Sequence, residues 1–285
     1  MKFIHVTDPH LMPPGQTLCA LDPAMRLRAV IQEVNRLHAD AAALILTGDI
    51  SYHGLDPAYE LGRELLSELK VPYHLIIGNH DDRAAFKRAF DHVPTDPSGF
   101  VQYCVDTPAG TLIMLDTVRH GHEDGEMCPA RLEWLAGELE RRSGQPVFVF
   151  MHHPPFRIGI ESIDASRLAQ GNELAHLLKR HGDVRHIFYG HVHRAIAGSW
   201  HGIPVSTLPG TNHQVGLLLD ASPVMIGTHE RPAYGVVLID DETVAVHQKD
   251  FLDTSPRFVL TEPDSKVALT VADLVDVPGQ LAGRA

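Results

Sequence analysis

The chain has 285 residues, 44% of them apolar and 21% charged, the composition of a globular rather than a disordered protein. Its 24 Lys and Arg against 36 Asp and Glu leave a formal charge of −12, which argues against a nucleic-acid polymer as partner, since that needs a basic groove. Cys19, Cys104 and Cys128 are odd in number and lack CxxC spacing, so a disulfide framework is not expected and a reducing cytoplasm is. No leader-like segment precedes the first strand, and no apolar run approaches the ~20 residues of a membrane span, so no membrane association is expected.

The first apolar run, F-I-H-V-T-D-P-H (Phe3 to His10), reads as a strand that breaks into Asp8, Pro9 and His10. A helix follows over Pro23 to Leu37, with Asp22 as N-cap, Pro23 at the first position and Met25, Leu27, Val30, Ile31, Val34 and Leu37 near one face. A second strand, A-L-I-L-T-G-D (Ala43 to Asp49), leads to a helix over Pro57 to Leu69 that Asp56 precedes. The third strand, H-L-I-I-G-N-H-D, ends at Asp81; another is predicted over Thr111 to Asp116, then a helix over Pro129 to Arg142. V-F-V-F-M-H-H-P-P (Val147 to Pro155), a helix over Asn172 to Arg180 and H-I-F-Y-G-H-V-H (His186 to His193) continue the alternation. Such alternation gives a layered α/β fold with much parallel sheet. After about Val205 the helical pattern stops, and strands are predicted over Val205 to Leu208, Gly235 to Asp240 and Thr243 to Lys249. Gly216 to Arg231 is irregular and suits a loop, a lid or an interface, and Leu217, Leu218 and Leu219 suggest dimer contacts.

Five of these strands end in a cluster of Asp, Asn, Gly or His, and strand ends are where an open α/β sheet gathers its ligands. Asp8 and His10 alternate on an extended segment and can reach one metal. Asp49 follows Gly48, which allows a sharp turn, and a carboxylate there can bridge two cations. Each motif alone is weak: with 20 His in the chain, about one H-x-H arises by chance, and His120-Gly-His122 is such a decoy. Their co-occurrence in order, D-x-H, G-D, G-N-H-D, H-H and G-H-x-H, points to a polynuclear metal site.

With these motifs the chain resembles the calcineurin-like metallophosphoesterase superfamily from Lys2 to about Gln214. It is most similar to the class III cyclic nucleotide phosphodiesterase and glycerophosphodiesterase branch, through G-N-H-D-D (Gly78 to Asp82), M-H-H-P-P (Met151 to Pro155) and S-T-L-P-G-T-N-H-Q-V (Ser206 to Val215). The resemblance implies a four-layer α/β/β/α sandwich, with residues 1–214 as catalytic core, 215–260 as a small β/loop cap or dimerisation segment completing the sheet, and 261–285 as a tail. It implies one cation on Asp8, His10, Asp49 and His193 and a second on Asp49, Asn79, His152 and His191. The mixed nitrogen and oxygen donors suit Mn, Fe, Zn or Co. His153, adjacent to a ligand on an extended segment, is expected to point away from the metals.

The implied reaction is in-line attack on a small phosphodiester, a 3′,5′-cyclic nucleotide or a glycerophosphodiester, by a hydroxide shared between the cations. His80 is expected to assist the leaving group and His213 to face the substrate. Arg119, His120 and His122 have no assigned role. The chain is expected to be a cytoplasmic homo-oligomer. A monoesterase or protein phosphatase of the same fold, and a noncatalytic scaffold, are the competing readings.

Overall fold

Alternation along the strands sorts the apolar residues into three layers. In the first strand, β1 (Lys2–Val6), Phe3 faces one side while Ile4 and Val6 face the other. The computed structural model describes residues 1–220 and 222–256. After β1 come α1 (Pro23–Leu37), β2 (Leu44–Thr47), α2 (Asp56–Ser67), β3 (Tyr73–Ile76), α3 (Arg83–Ala89), β4 (Tyr103–Thr107) and β5 (Gly110–Met114). Then follow α4 (Pro129–Arg141), β6 (Val147–Met151), α5 (Glu161–Asp164), α6 (Gly171–His181), β7 (Val184–Tyr189), β8 (Ile196–Trp200) and β9 (Ile203–Thr207). The last elements are β10 (Gln214–Val215), β11 (Gly227–Thr228), β12 (Ala233–Ile239) and β13 (Val244–Asp250).

Two mixed sheets form, in the orders β13-β12-β1-β2-β3 and β4-β5-β6-β7-β9-β8. β1, β2 and β3 run parallel, as do β5, β6, β7 and β9, whereas β12 and β13 add antiparallel pairings to β1's free side. Between the sheets lie Phe3, Ile45, Ile76, Met114, Phe148, Phe150 and Phe188. Phe150 stacks on Phe188 with ring centroids 4.9 Å apart, and Phe3 meets Phe150 edge-on at 5.5 Å. On the outer faces, Leu27, Val30, Ile31, Leu65 and Phe86 cover the first sheet and Leu135, Leu139, Leu174 and Leu178 the second. The result is the expected α/β/β/α layering.

Local chemistry sets the helix ends. Asp22 accepts from Met25 N at 3.0 Å, the N-cap the sequence predicts, and Gly182 closes α6 with φ 86°. Asp56 departs from expectation: it is the first residue of α2, Leu55 holds the cap position, and the Asp56 carboxylate pairs with Arg88 at 2.7 Å. The segment expected to be irregular contains the hairpin strand β11, and β12 and β13 extend the first sheet. One compact unit spans Met1–Phe251, and a second begins at Leu252. The expected tail, 261–285, lies outside the described residues.

A buried ionic knot ties α3 and α4 to the loop after β5. Asp116 accepts from Arg83 Nε (2.7 Å) and Nη2 (2.9 Å), and from the backbone of Val101 and Val118. The buried Arg131 guanidinium donates to the Asp116 and Val118 carbonyls at 3.0 Å and lies 4.5 Å from the Phe100 ring centroid. Removing one member of such a knot strands a buried charge. Asp116→Ala is therefore expected to lower stability by about 3–5 kcal/mol, read from urea denaturation; a change below about 1 kcal/mol, the surface-pair range, would show the knot to be solvated.

Candidate metal centre

The ends of β1, β2, β3, β6 and β7 meet at one edge of the sandwich, and their backbones turn there in an uncommon way. Asp8, His10, Asp49, His191 and His193 all have φ between 49° and 71°, the left-handed region that costs non-glycine residues roughly 1–3 kcal/mol each and clusters at functional sites. Two glycines let the turns approach. A Cβ on Gly78 would overlap Asp49 Oδ1, and one on Gly190 would overlap Thr7 Oγ1.

The turns bring the seven expected ligands into two adjoining clusters. In the first, donor atoms of Asp8, His10, Asp49 and His193 all lie within 4.8 Å of one another. His10 Nε2 is 2.9 Å from His193 Nε2 and 3.5 Å from Asp49 Oδ2, and His193 Nε2 is 3.5 Å from Asp8 Oδ1. In the second, Asn79 Oδ1 lies 3.0 Å from His152 Nε2 and 2.9 Å from His191 Nδ1. His152 Nε2 is also 3.4 Å from Asp49 Oδ2, so Asp49 faces both clusters.

Proton positions show what these clusters fit. His152 Nδ1 donates to Thr47 O at 2.8 Å and His193 Nδ1 to His213 O at 2.8 Å, which turns the Nε2 of each ring toward the clusters. Asn79 Nδ2 donates to Glu123 Oε2 at 2.7 Å, which turns its carbonyl oxygen inward. The two clusters thus set the Asp8 and Asp49 carboxylates and the Asn79 carbonyl oxygen among four imidazole nitrogens at about hydrogen-bond distance. Burial keeps His10 well below the usual imidazole range and lowers His191 to about 3, so neither ring takes a second proton, and His10, whose Nδ1 is buried without a partner, carries its single proton on Nε2 toward His193. Burial also opposes charge on His152, but the Asp49 carboxylate outweighs it and pushes this ring up to about 9. Divalent cations would satisfy the whole donor set, and the residues present fit them.

The other expected residues fall around this pair. His80 donates its backbone N–H to Asp49 Oδ1 (2.9 Å) and its Nδ1–H to Tyr52 O (2.9 Å), and its ring stacks on Tyr52 at 4.7 Å. His213 is half-buried, its ring 4.7 Å from that of His193, and burial lowers it to about 4. His153 is fully buried with Nδ1 2.8 Å from Thr117 Oγ1, and its ring centroid is 4.9 Å from that of His191. His120 and His122 are exposed, and Arg119 is held by Asp124 at 3.0 Å.

Sequence reasoning missed Thr7, Thr47, Glu123 and Ser166, the last 2.8 Å from His191 Nε2. The two threonines carried a signal, since V-T-D and L-T-G-D place Thr just before each carboxylate. It also left Asp81 without a role. Asp81 accepts from the backbone of Ile50, Ser51 and Gly78 and from Tyr59 Oη, which clamps the β2 and β3 turns together.

A sequence profile described as calcineurin-like phosphoesterase matches residues 1–195. The chain belongs to the calcineurin-like phosphoesterase family. A Rhodopseudomonas palustris protein of this kind, named probable cyclic nucleotide phosphodiesterase, is 39% identical over 263 residues, covering 91% of this chain and 96% of its own. A glycerophosphodiester phosphodiesterase of Enterobacter lignolyticus is 30% identical over 220 residues, covering 75% and 79%. Among solved structures, a dimetal phosphatase from Danio rerio superposes with a TM-score of 0.67 at 15% identity, covering 88% of this chain and 96% of that one, which shows the shared calcineurin-like fold.

Gly78→Ala would push a methyl group into the Asp49 carboxylate, the group common to both clusters. Bound divalent metal, measured by elemental analysis after dialysis against Mn²⁺, is expected to fall about tenfold or more with secondary structure retained; wild-type metal content would show that Asp49 has room to move.

Proposed function

We propose that this chain is a phosphodiesterase that uses two divalent cations to hydrolyse small phosphodiesters, with 3′,5′-cyclic nucleotides as leading substrates. The observation that carries the reading is the Asp49 carboxylate facing two adjoining clusters of imidazole, carboxylate and amide donors. Asp8, His10, Asp49 and His193 would hold one cation; Asp49, Asn79, His152 and His191 would hold the other. Cations held there would supply Lewis acidity to the phosphoryl oxygens and a water-derived nucleophile at neutral pH.

The chain's own residues do the rest. His152 and His193 each donate Nδ1–H to a backbone carbonyl, so their Nε2 atoms stay aimed inward. His80 is fixed in the same way by Tyr52 O, which leaves its Nε2 as the nitrogen available at the mouth to a phosphoryl or leaving oxygen. His213, whose ring nitrogen lies within 4.8 Å of donor atoms of His10 and His193, stands beside the first cluster, which supports a contact with substrate there. Cyclic nucleotides lead because the relative bearing that name matches nearly the full length of both chains, whereas the glycerophosphodiesterase relative matches less of each. The nitrogen and oxygen donors suit Mn, Fe, Zn or Co, and no cysteine enters either cluster.

Three free cysteines and a cyclic-nucleotide substrate fit a reducing cytoplasm, and among the described residues no helix is long and apolar enough to cross a membrane. We read 1–214 as catalytic core and 215–260 as the segment that completes the first sheet and mediates self-association. Its hairpin loop exposes Leu217, Leu219, Val224, Met225 and Ile226, an apolar set that supports contact with a second copy of the chain. Leu219→Lys combined with Ile226→Lys is expected to reduce the solution mass to that of one chain by light scattering. A wild-type mass equal to one chain would remove the self-association reading.

Turnover of cyclic AMP by Mn²⁺-loaded protein, compared with glycerophosphoethanolamine and bis(p-nitrophenyl) phosphate, tests the activity directly. The cyclic nucleotide is expected to give the highest kcat/KM, and Asp49→Ala to abolish hydrolysis of all three. His80→Ala is expected to lower kcat by about 10²–10⁴-fold while metal content stays at the wild-type level. Metal-independent turnover, or none with any diester, would overturn the reading.

A further inference from the structure

A hydrogen-bonded thread runs from the layer between the sheets to Asp8. His5 Nε2 lies 2.9 Å from Thr47 Oγ1, Thr47 Oγ1 lies 2.9 Å from Thr7 Oγ1, and Thr7 Oγ1 donates to Asp8 Oδ2 at 2.6 Å. All four side chains are fully buried. The His5 ring sits edge-on to Phe188 at 5.6 Å and to Phe150 at 6.5 Å, deep in the aromatic packing.

Both ends of the thread fix the direction of its donors. An ionised Asp8 carboxylate only accepts, so the Thr7 proton points at Oδ2 and Thr7 Oγ1 accepts from Thr47. The Thr47 hydroxyl proton is thereby committed, and its oxygen accepts from His5 Nε2–H. At the other end His5 Nδ1 is buried without a partner, so a proton there would be an unsatisfied donor costing about 1–3 kcal/mol. The unpartnered lone pair is the cheaper arrangement, and it requires the same tautomer. Burial and the nearby His186 lower His5 to about 3, consistent with a neutral ring.

We propose that His5 is a positioning residue of the metal centre, the first donor of a one-way relay through Thr47 and Thr7 that ties Asp8 Oδ2 back to the sheet and turns Oδ1 toward His193. This rests on the dinuclear reading above. Asp8 Oδ1 is the oxygen 3.5 Å from His193 Nε2, inside the first cluster. Aligned hydrogen bonds polarise one another in a dry interior, so the first donor acts on the last acceptor. Thr47 serves both clusters by different atoms: its hydroxyl leads to Asp8, whereas its carbonyl holds His152 of the second cluster at 2.8 Å. Losing the hydroxyl should therefore weaken one cation selectively.

The test is a Mn²⁺ titration of the full chain, followed by calorimetry and by electron paramagnetic resonance, which separates a spin-coupled pair from a single ion. His5→Leu and the isosteric Thr47→Val are expected to weaken one of the two binding steps by about tenfold and leave the other within about twofold. At limiting Mn²⁺ both should give the signal of a single ion. His5→Gln, whose side-chain amide can donate from nearly the same place, should recover the spin-coupled signal. Thr47→Val keeps the carbonyl and nearly the same volume, so it carries the test if His5→Leu does not fold. Wild-type titrations for both His5→Leu and Thr47→Val would overturn the relay alone. Equal loss at both steps, not recovered by His5→Gln, would also overturn it and make His5 a packing residue. A wild-type chain that binds no Mn²⁺ pair would overturn the dinuclear reading and the relay with it.

Discussion

Two carboxylates, four imidazole rings and an amide oxygen crowded around Asp49 are the constraint on which the rest of this structure depends. Imidazole nitrogens stand 2.9 Å apart at His10 and His193 and an amide oxygen 3.0 Å from an imidazole nitrogen at Asn79 and His152, beside the buried Asp8 and Asp49 carboxylates, whose negative charge favours cations among them. The chain holds them there by several means at once. Left-handed turns at five of the seven donor residues aim the side chains, and glycines at 78 and 190 remove the atoms that would keep the turns apart. Backbone carbonyls of Thr47 and His213 fix the tautomers of His152 and His193. None of these features stabilises the fold by itself, and the left-handed turns oppose it. A site so strained persists because the surroundings over-determine it.

The surroundings are the two sheets. Parallel strands of one sheet supply Asp8, Asp49 and Asn79, and parallel strands of the other supply His152 and His191, so the clusters straddle the edge of the sandwich. Their separation depends on how far apart the sheets sit, and that is set by Phe3, Phe150 and Phe188, whose rings interlock edge-on and stacked. Close-packed interiors transmit small changes in volume, so this aromatic layer and the metal centre form one mechanical unit. The Asp116 knot plays a similar part for the outer loop, which carries Glu123 to Asn79.

The layered α/β architecture was legible in the sequence because strands and helices follow strict periods. The donor residues stood out by their order at strand ends and not by alternation, since Asp8 and His10, expected on an extended segment, both turn left-handed, with φ 53° and 49°. α1 was legible to the residue because Asp22 and Pro23 mark its start chemically. What escaped lacked periodicity. α3 has seven residues, too few for an apolar stripe to stand out, and the edge strand β8 reads Ile-Ala-Gly-Ser-Trp, mostly exposed and without alternating apolars. Arg131 breaks the helical pattern outright, a charge on the buried face of α4 whose partners come from a distant loop. Glu123 and Ser166 sit in loops, where spacing along the chain carries no information about contact. Asp56 misled for a different reason: Pro57 marks the start of a helix within a residue or so, and Leu55 rather than Asp56 takes the cap.

The strand-end motifs also divide their labour in a way that one-letter patterns conceal. In V-T-D the carboxylate belongs to the centre while Thr7 holds it; in L-T-G-D, Thr47 does the same for two elements at once. In G-N-H-D, Asn79 faces the second cluster, His80 the mouth, and Asp81 neither, since all its described hydrogen bonds go to the backbones of Gly78, Ile50 and Ser51 and to Tyr59. Burial and the nearby Asp49 raise Asp81 to about 6, and those backbone donors pull the other way. In H-H, His152 turns inward, and His153, expected to point away, does not leave the site: its Nδ1 meets Thr117, yet donor nitrogens of His152, His153 and His191 all lie within 4.8 Å of one another. Each motif is therefore a donor coupled to its own support. A donor moved without its support would leave a buried polar group unpaired, and the support without the donor would hold nothing in place.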